Sequence, residues 1–236
     1  MSSRRGSGCT SRTPPYAVRF IGWTTRGSAR ATCSDPTLSE RKKRKIRRQI
    51  AQLPEHSVVL AQDETDLLLF PPLRSAWAPR GAQANVWLTG RNAKRVLFGA
   101  VNLRSGRLML LCRLHQRSQD FCAFLHDVRR RYRGRPVALL LDEDPSHAAH
   151  ASQRLAATLN ISLFWLPKRC PELNPMEHLW RAVKKDVCAN RQDASIDALV
   201  GRVVRYLLRL RQRSVLRKAG VLARRFWLRS ALSKHL

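Results

Sequence analysis

A mixed β-sheet with helices on both faces is the fold class this sequence predicts, and three observations carry the prediction. An apolar run and a hairpin come first, strands alternating with helices follow, and no internal repeat of about 20–50 residues is visible. Antiparallel strands followed by β–α alternation require a sheet of mixed direction, because parallel strands need crossovers and the crossover helices cover its faces.

Taken in order, residues 1–34 are rich in Ser, Arg, Thr and Gly, with aromatics of no regular period, and read as a disordered or loosely attached basic segment. Residues 35–55 read as a basic helical arm, in which seven of the eight residues 41–48 are cationic. The core domain is expected over 56–190. Its first strand, Val58-Val59-Leu60-Ala61-Gln62, ends at Asp63. Pro71-Pro72 and Trp77-Ala78-Pro79-Arg80-Gly81 then impose extended loop with at most a short strand. Strands over 94–102 and 107–112 are joined by Arg104-Ser105-Gly106 into an antiparallel hairpin.

Phe121, Phe124, Leu125 and Val128 fall at helical spacing, and Arg129, Arg130, Arg131 and Arg133 sit at the negative end of that helix dipole. A wholly apolar strand over 137–141, a helix over 146–159 and an apolar strand over 161–166 follow. Asn174 is a good N-cap and Pro175 suits the first helical position, so a further helix runs from there to about residue 187. Residues 191–236 should form basic C-terminal helices packed on the core domain. The clearest begins at Ser195, with Ile196, Leu199, Val203 and Leu207 on one side and Arg202, Arg205 and Arg209 on the other.

Lysine and arginine number 45 against 16 acidic residues, a formal charge of +29. Such an excess points to a polyanionic partner, most simply nucleic acid, because each neutralised phosphate releases condensed counterions. The distribution argues against a uniformly basic protein of the ribosomal kind: 10 of the 16 acids fall within 63–180, whereas both flanks are strongly basic. The six cysteines include no C-x-x-C pair, so free thiols in a reducing compartment are expected and a zinc site is not. No apolar run approaches the roughly 18 residues of a membrane span, and no apolar signal segment opens the chain. A cytoplasmic, nucleoid-associated protein without membrane contact is the expectation.

Three acids stand where chemistry is expected. Asp63 and Asp142 each follow an apolar strand, and Glu177 falls in the first turn of the helix capped by Asn174. Three converging carboxylates suit hard divalent cations. Each has a plainer reading. Asp63 belongs to the acidic stretch Asp63-Glu64-Thr65-Asp66, which also reads as a surface turn; strand alternation lets only one of Asp63 and Glu64 face a given side. Asp144, before Pro145, competes with Asp142 but looks like an N-cap, and Glu143 should face solvent. Glu177 could serve as a capping-box partner of Asn174 or pair with Arg181 one turn on. His147 and His150, three apart on a helix, read as helix-surface histidines, since no further ligand sits at a zinc-like spacing. Cys170 reads as an inert thiol, and His178 lies beside Glu177.

At these residues the chain resembles the catalytic domain of bacterial insertion-sequence transposases of the mariner superfamily. The resemblance rests on Asp63-Glu64-Thr65, on Leu139-Leu140-Leu141-Asp142 with Pro145 and His147, and on Leu166-Pro167 through Pro171-Glu172-Leu173-Asn174-Pro175-Met176-Glu177-His178-Leu179-Trp180. The 34 residues between Asp142 and Glu177 are the spacing expected of this group. The resemblance implies a ribonuclease-H-like fold and a DDE triad of Asp63, Asp142 and Glu177 holding two magnesium or manganese ions. It also implies hydrolysis at element ends, transfer of the 3′-hydroxyl into target DNA, and a homo-oligomer assembled on DNA. Arg41, Lys42, Lys43, Arg44, Lys45, Lys168, Arg169, Lys184 and Lys185 are the expected DNA contacts.

Glu143 departs from the family, which often has Asn there, and Cys170 stands where Ser is conventional; neither change removes a ligand. Residues 1–34 are too short and irregular for the helix-turn-helix domains such transposases carry. A truncated copy or one product of a split gene is therefore expected, with an intact chemical site and poor end recognition. A nuclease of the same fold without strand transfer and an inactive DNA-binding remnant are the alternatives.

Overall fold

The structure, a computed structural model, describes residues 17–18, 36–76 and 85–232. The expectations for residues 1–34 and for Trp77-Ala78-Pro79-Arg80-Gly81 lie outside the described residues, apart from a two-residue strand. Along the chain run β1 (Ala17–Val18), α1 (Pro36–Ala51), β2 (Val58–Leu68), β3 (Val86–Trp87), β4 (Lys94–Asn102), β5 (Leu108–Arg113), α2 (Ser118–Arg131) and β6 (Val137–Leu141). There follow α3 (Pro145–Ala148), α4 (His150–Thr158), β7 (Ile161–Trp165), α5 (Pro175–Val183), α6 (Ile196–Arg209), α7 (Gln212–Lys218) and α8 (Arg229–Leu232).

The main sheet has the order β5-β4-β2-β6-β7, while β1 and β3 form a separate antiparallel ribbon. β5, β4 and β2 run antiparallel, and β2, β6 and β7 run parallel. The sheet is thus mixed, as the element order predicts. Gly106, at φ +73°, closes the β4–β5 hairpin, and a Cβ there would lie 2.3 Å from the Gln212 carbonyl oxygen of α7. Only glycine fits both demands.

Alternation along the strands builds two cores. Val59, Ala61 and Leu67 of β2 join Ala138 and Leu140 of β6 beneath α1, α5, α6, α7 and α8. Val58 and Leu60 join Leu139 and Leu141 on the other side, packed on Phe121, Phe124, Leu125 and Val128 of α2 and Ala156 of α4. Helices cover both faces, and the two-residue period of the strands decides which side chain meets which layer.

Several local expectations are corrected. β2 does not end at Asp63 but continues to Leu68, because β4 still pairs with it after β6 has stopped. The helix expected over 146–159 is two, broken at Ala149, whose ψ of 138° is extended. α5 loosens after Val183 into a π-helical turn, Lys184–Cys188. Two short helices, α7 and α8, follow α6. Cys112, Cys122 and Cys188 carry free thiols, whereas Cys170 is disulfide-bonded, against the expectation of six free thiols.

Candidate active site

Register explains why Asp63 and Asp142 come together. The parallel ladder pairs Val59 with Ala138 and Ala61 with Leu140. Continued by two residues it sets Asp63 beside Asp142, on the face that carries α5. β6 ends at Leu141 while β2 runs on, so both carboxylates stand where the sheet loses a strand and opens to solvent. Open α/β sheets characteristically present their functional groups at such strand ends.

Glu177 arrives from the helix layer. Asn174 caps α5 by accepting from the Met176 amide at 3.0 Å, and its Nδ2 donates to the Gln62 carbonyl at 2.9 Å. One buried side chain therefore starts the helix and ties it to β2 next to Asp63. Gly99, the β4 partner of Asp63, lets Met176 and Trp180 lie against the sheet: a Cβ there would come within 2.6 Å of both. Trp227 holds the preceding loop by donating to the Leu173 carbonyl at 3.0 Å, and His178 Nε2 bonds the Glu172 carbonyl at 3.1 Å. The Glu177 carboxylate makes a loose pair with Arg181, 3.8 Å apart; the capping-box alternative is not formed.

Asp63, Asp142 and Glu177 line one cavity of about 230 Å³, with Arg169, Cys170 and Asn174 among its walls. Arg169 sits in left-handed backbone, φ +57°. Asp63 has no cation paired with it among the described residues. Burial, then the charges of Glu64, Glu177 and Asp142, push its carboxyl up to about 8. A carboxylate made costly by its neighbours is one whose ionised form a cation would restore. Among the described residues no three His, Cys, Asp or Glu side chains are gathered closely enough to ligate a single ion. The three acids share a cavity without closing on a point. Their oxygen donors and unrelieved repulsion fit a hard divalent cation such as Mg²⁺ or Mn²⁺.

On the opposite face lies a feature that helical spacing missed. His147 is not a surface histidine but wholly buried, with its Nε2 2.8 Å from Glu64 Oε1 and its Nδ1 3.1 Å from Asp142 Oδ1. The Phe121 ring covers it at 4.4 Å. Burial works against charge on the imidazole, yet the two carboxylates outweigh it and hold its pKa up to about 10. Asp142 is subject to the same opposition: burial would raise its pKa, but the bond to His147 keeps it below the ordinary carboxylate range. Asp144 spends its carboxylate on the Ser146 amide and hydroxyl, at 2.8 and 2.6 Å, as an N-cap should. A signal for the bridge was present, since an acid turned into an apolar face needs a partner.

The basic residues divide. Arg41, Arg44, Lys45 and Arg48 line one open groove along α1. Lys43 and Arg47 instead pair with Glu40, both at 2.6 Å. Lys42 and Lys168 grip Glu143 from two sides, at 2.8 and 3.2 Å, so Glu143 does not simply face solvent. Arg169 lies in the cavity wall, while Lys184 and Lys185 sit on the π-helical turn after α5, outside that wall.

Against this geometry, a family model for DDE superfamily endonucleases matches residues 58–200, more than half of the chain. The chain belongs to this family. An uncharacterized 39 kDa protein of insertion element IS630 from Shigella sonnei is 27% identical over 155 residues, 65% of this chain and 45% of its own length. The protein y4pE/y4sA of Sinorhizobium fredii is 30% identical over 105 residues, 44% of this chain and 76% of its own length. The chain thus spans less than half of its IS630 relative. Among solved structures, the Mos1 mariner paired end complex with Mn superposes with a TM-score of 0.65 at 18% identity, covering 90% of this chain and 68% of the other. The catalytic domain of Mos1 mariner transposase gives 0.57 at 16% identity over 89% and 98%. The fold is that of the mariner catalytic domain, ribonuclease-H-like, and the likenesses are of the IS630 and mariner type. No described helix is long and apolar enough to cross a membrane.

Proposed function

We propose that this DDE endonuclease is the catalytic portion of a DNA transposase, cutting phosphodiester bonds at element ends and joining the freed 3′-hydroxyl to target DNA. The observation that carries the reading is the cavity shared by Asp63, Asp142 and Glu177, reached from two adjacent strand positions and one capped helix. The three carboxylates would hold two divalent cations, magnesium or manganese. When bound, these would activate the attacking oxygen and stabilise the leaving one in an in-line displacement. Asp63, whose carboxyl burial and then the neighbouring carboxylates hold up at about 8, would supply one of the oxygen ligands in its ionised form. Arg169 places a guanidinium in the cavity wall, suited to bidentate contact with a phosphate.

DNA would run along the groove of Arg41, Arg44, Lys45 and Arg48, with Lys42, Lys43, Lys168, Lys184 and Lys185 as further phosphate contacts. Two element ends must be held together for joining, which makes a homo-oligomer on DNA part of the proposal. The division 35–55, 56–190 and 191–236 into arm, catalytic domain and C-terminal helices is retained in it.

Cleavage of supercoiled plasmid with Mg²⁺ or Mn²⁺ tests the site without needing a known end sequence. Nicking should require metal and fall to background in Asp142→Ala and Glu177→Ala. Nicking that survives both substitutions would remove these carboxylates from the chemistry. Joining of a labelled 3′-hydroxyl end to plasmid separates transposase from simple nuclease.

A further inference from the structure

Asp142 is the most exposed member of the carboxylate set, with 58% of its side chain accessible, and among the described residues its side-chain partner is a histidine with no exposure at all. An exposed aspartate is free to rotate about its side-chain bonds, and ordering it before a ligand arrives lowers the entropic cost of binding. His147 is well suited to supply that order. Asp144 caps the short helix that carries it, Phe121 lies over the ring, and the Ser152 hydroxyl donates to the Ser146 carbonyl at 2.6 Å, fixing the next helix against it. Behind the imidazole stands Glu64, only 4% accessible. Its Oε1 accepts from Gln62 Nε2 at 2.7 Å as well as facing His147 Nε2.

A buried carboxylate whose Oε1 is met by both Gln62 and His147 is a fixed point. Nδ1 of His147 faces the Asp142 carbonyl at 3.3 Å and its Oδ1 at 3.1 Å, so the ring engages main chain and side chain of the same residue. With acceptors at both ring nitrogens, the ring is best served with both as donors. The chain Gln62–Glu64–His147–Asp142 thus crosses from one face of the sheet to the other around the end of β6.

We propose that Glu64 and His147 form a positioning pair, which holds Oδ1 of Asp142 and leaves its second carboxylate oxygen turned to receive a cation. The inference rests on the reading of Asp142 as a metal ligand. Neither residue touches substrate or metal; they act through Asp142, as hydrogen-bonding partners of ligating side chains commonly do.

The test is Mn²⁺ titration of the metal-free protein, followed by isothermal calorimetry at one fixed pH, with urea unfolding measured alongside. His147→Gln can still reach Glu64 but loses Asp142, and its Mn²⁺ affinity should fall about 10–100-fold. His147→Asn, whose amide falls near the former Nδ1, should recover part of that loss. Glu64→Gln, nearly isosteric, should weaken binding in the same direction and keeps the question open to decision if His147→Gln does not fold. In an Asp142→Asn background, His147→Gln should bring no further loss. The proposal is overturned if His147→Gln binds Mn²⁺ as tightly as wild type or more tightly, or loses the same factor whether or not Asp142 is present. Wild-type protein whose Mn²⁺ binding is indifferent to Asp142→Asn would instead sink the metal-site reading, and the positioning pair with it.

Discussion

Asp63 and Glu64 are adjacent acids on one strand, and they have opposite surroundings. Glu64 points to the α2 side, where it is almost fully buried and is met by His147 and Gln62. Asp63 points to the α5 side, where no cation pairs with it among the described residues, and its carboxyl is pushed up to about 8 by burial, Glu64, Glu177 and Asp142. Folding has neutralised one acid and left the other in debt. A structural acid is provided with its counter-charge by the chain itself, whereas an acid kept uncompensated in a cavity is one whose partner comes from outside.

The comparison breaks most visibly if both acids are removed in turn. Glu64→Ala leaves the His147 imidazole buried with half its partners gone, and should destabilise the protein by about 3–5 kcal/mol, the usual cost of breaking a buried pair. Urea unfolding at neutral pH measures it. Asp63→Asn should do the reverse in metal-free protein. The carboxyl moves from 3.8 to about 8 on folding, so the folded state binds its proton more tightly than the unfolded state. Stability is therefore lost as pH rises from about 4 to about 8 and stays lost above. The Asn variant escapes this loss. Its advantage should be absent below about pH 4 and reach on the order of 3 kcal/mol near pH 8, allowing for screening at the open side of the cavity. Added Mn²⁺ should stabilise wild type and leave Asp63→Asn unmoved. Equal pH profiles for the two proteins would show that Asp63 is not under strain.

What the sequence made legible follows from local rules. Strand alternation separates Asp63 from Glu64, the Asn174–Pro175 start places Glu177 in the first turn, and the apolar run before Asp142 marks a strand end; the structure has all three. The bridge was not read, because Glu64 and His147 are 83 residues apart and the pairing depends on tertiary packing. Spacing placed His147 and His150 on one regular helix. The break at Ala149 destroys that face, and no glycine or proline announces it. β2 outran its predicted end for a similar reason: the apolar run stops at Ala61, but the ladder with β4 does not. Availability of the basic residues was also hidden, since a run of cations does not reveal which of them meet Glu40 and Glu143.

A subtler way to disturb the uncompensated side is to move the layer that faces it. Gly99→Ala would set a methyl group 2.6 Å from the terminal methyl of Met176 and from the ring of Trp180. Met176 can turn aside, but Trp180 is fully buried and cannot do so freely. Overpacking of this kind costs about 1–3 kcal/mol. Because α5 carries Glu177, Mn²⁺ affinity should fall with stability, whereas an equally destabilising change remote from both α5 and His147 should spare it. Calorimetry on the two variants at matched stability distinguishes a shifted helix from a generally weakened fold.

The smallest effect concerns the acid beside Asp142. Glu143 accepts from Lys42 and Lys168, and these bonds hold its carboxyl below the ordinary range. Both lysines already satisfy an internal anion next to Asp142, so on the proposed function neither is free for a phosphate. Glu143→Gln keeps the shape and removes the charge. Binding to duplex DNA should then tighten, and the plot of log affinity against log salt should steepen by about 0.9 for each lysine that gains a phosphate, a change of one to two at most. The three carboxylates of the cavity are untouched, so Mn²⁺ affinity should stay at the wild-type value. An unchanged salt slope would mean that Lys42 and Lys168 lie off the DNA path, leaving the outer groove of α1 as the basic surface that DNA follows.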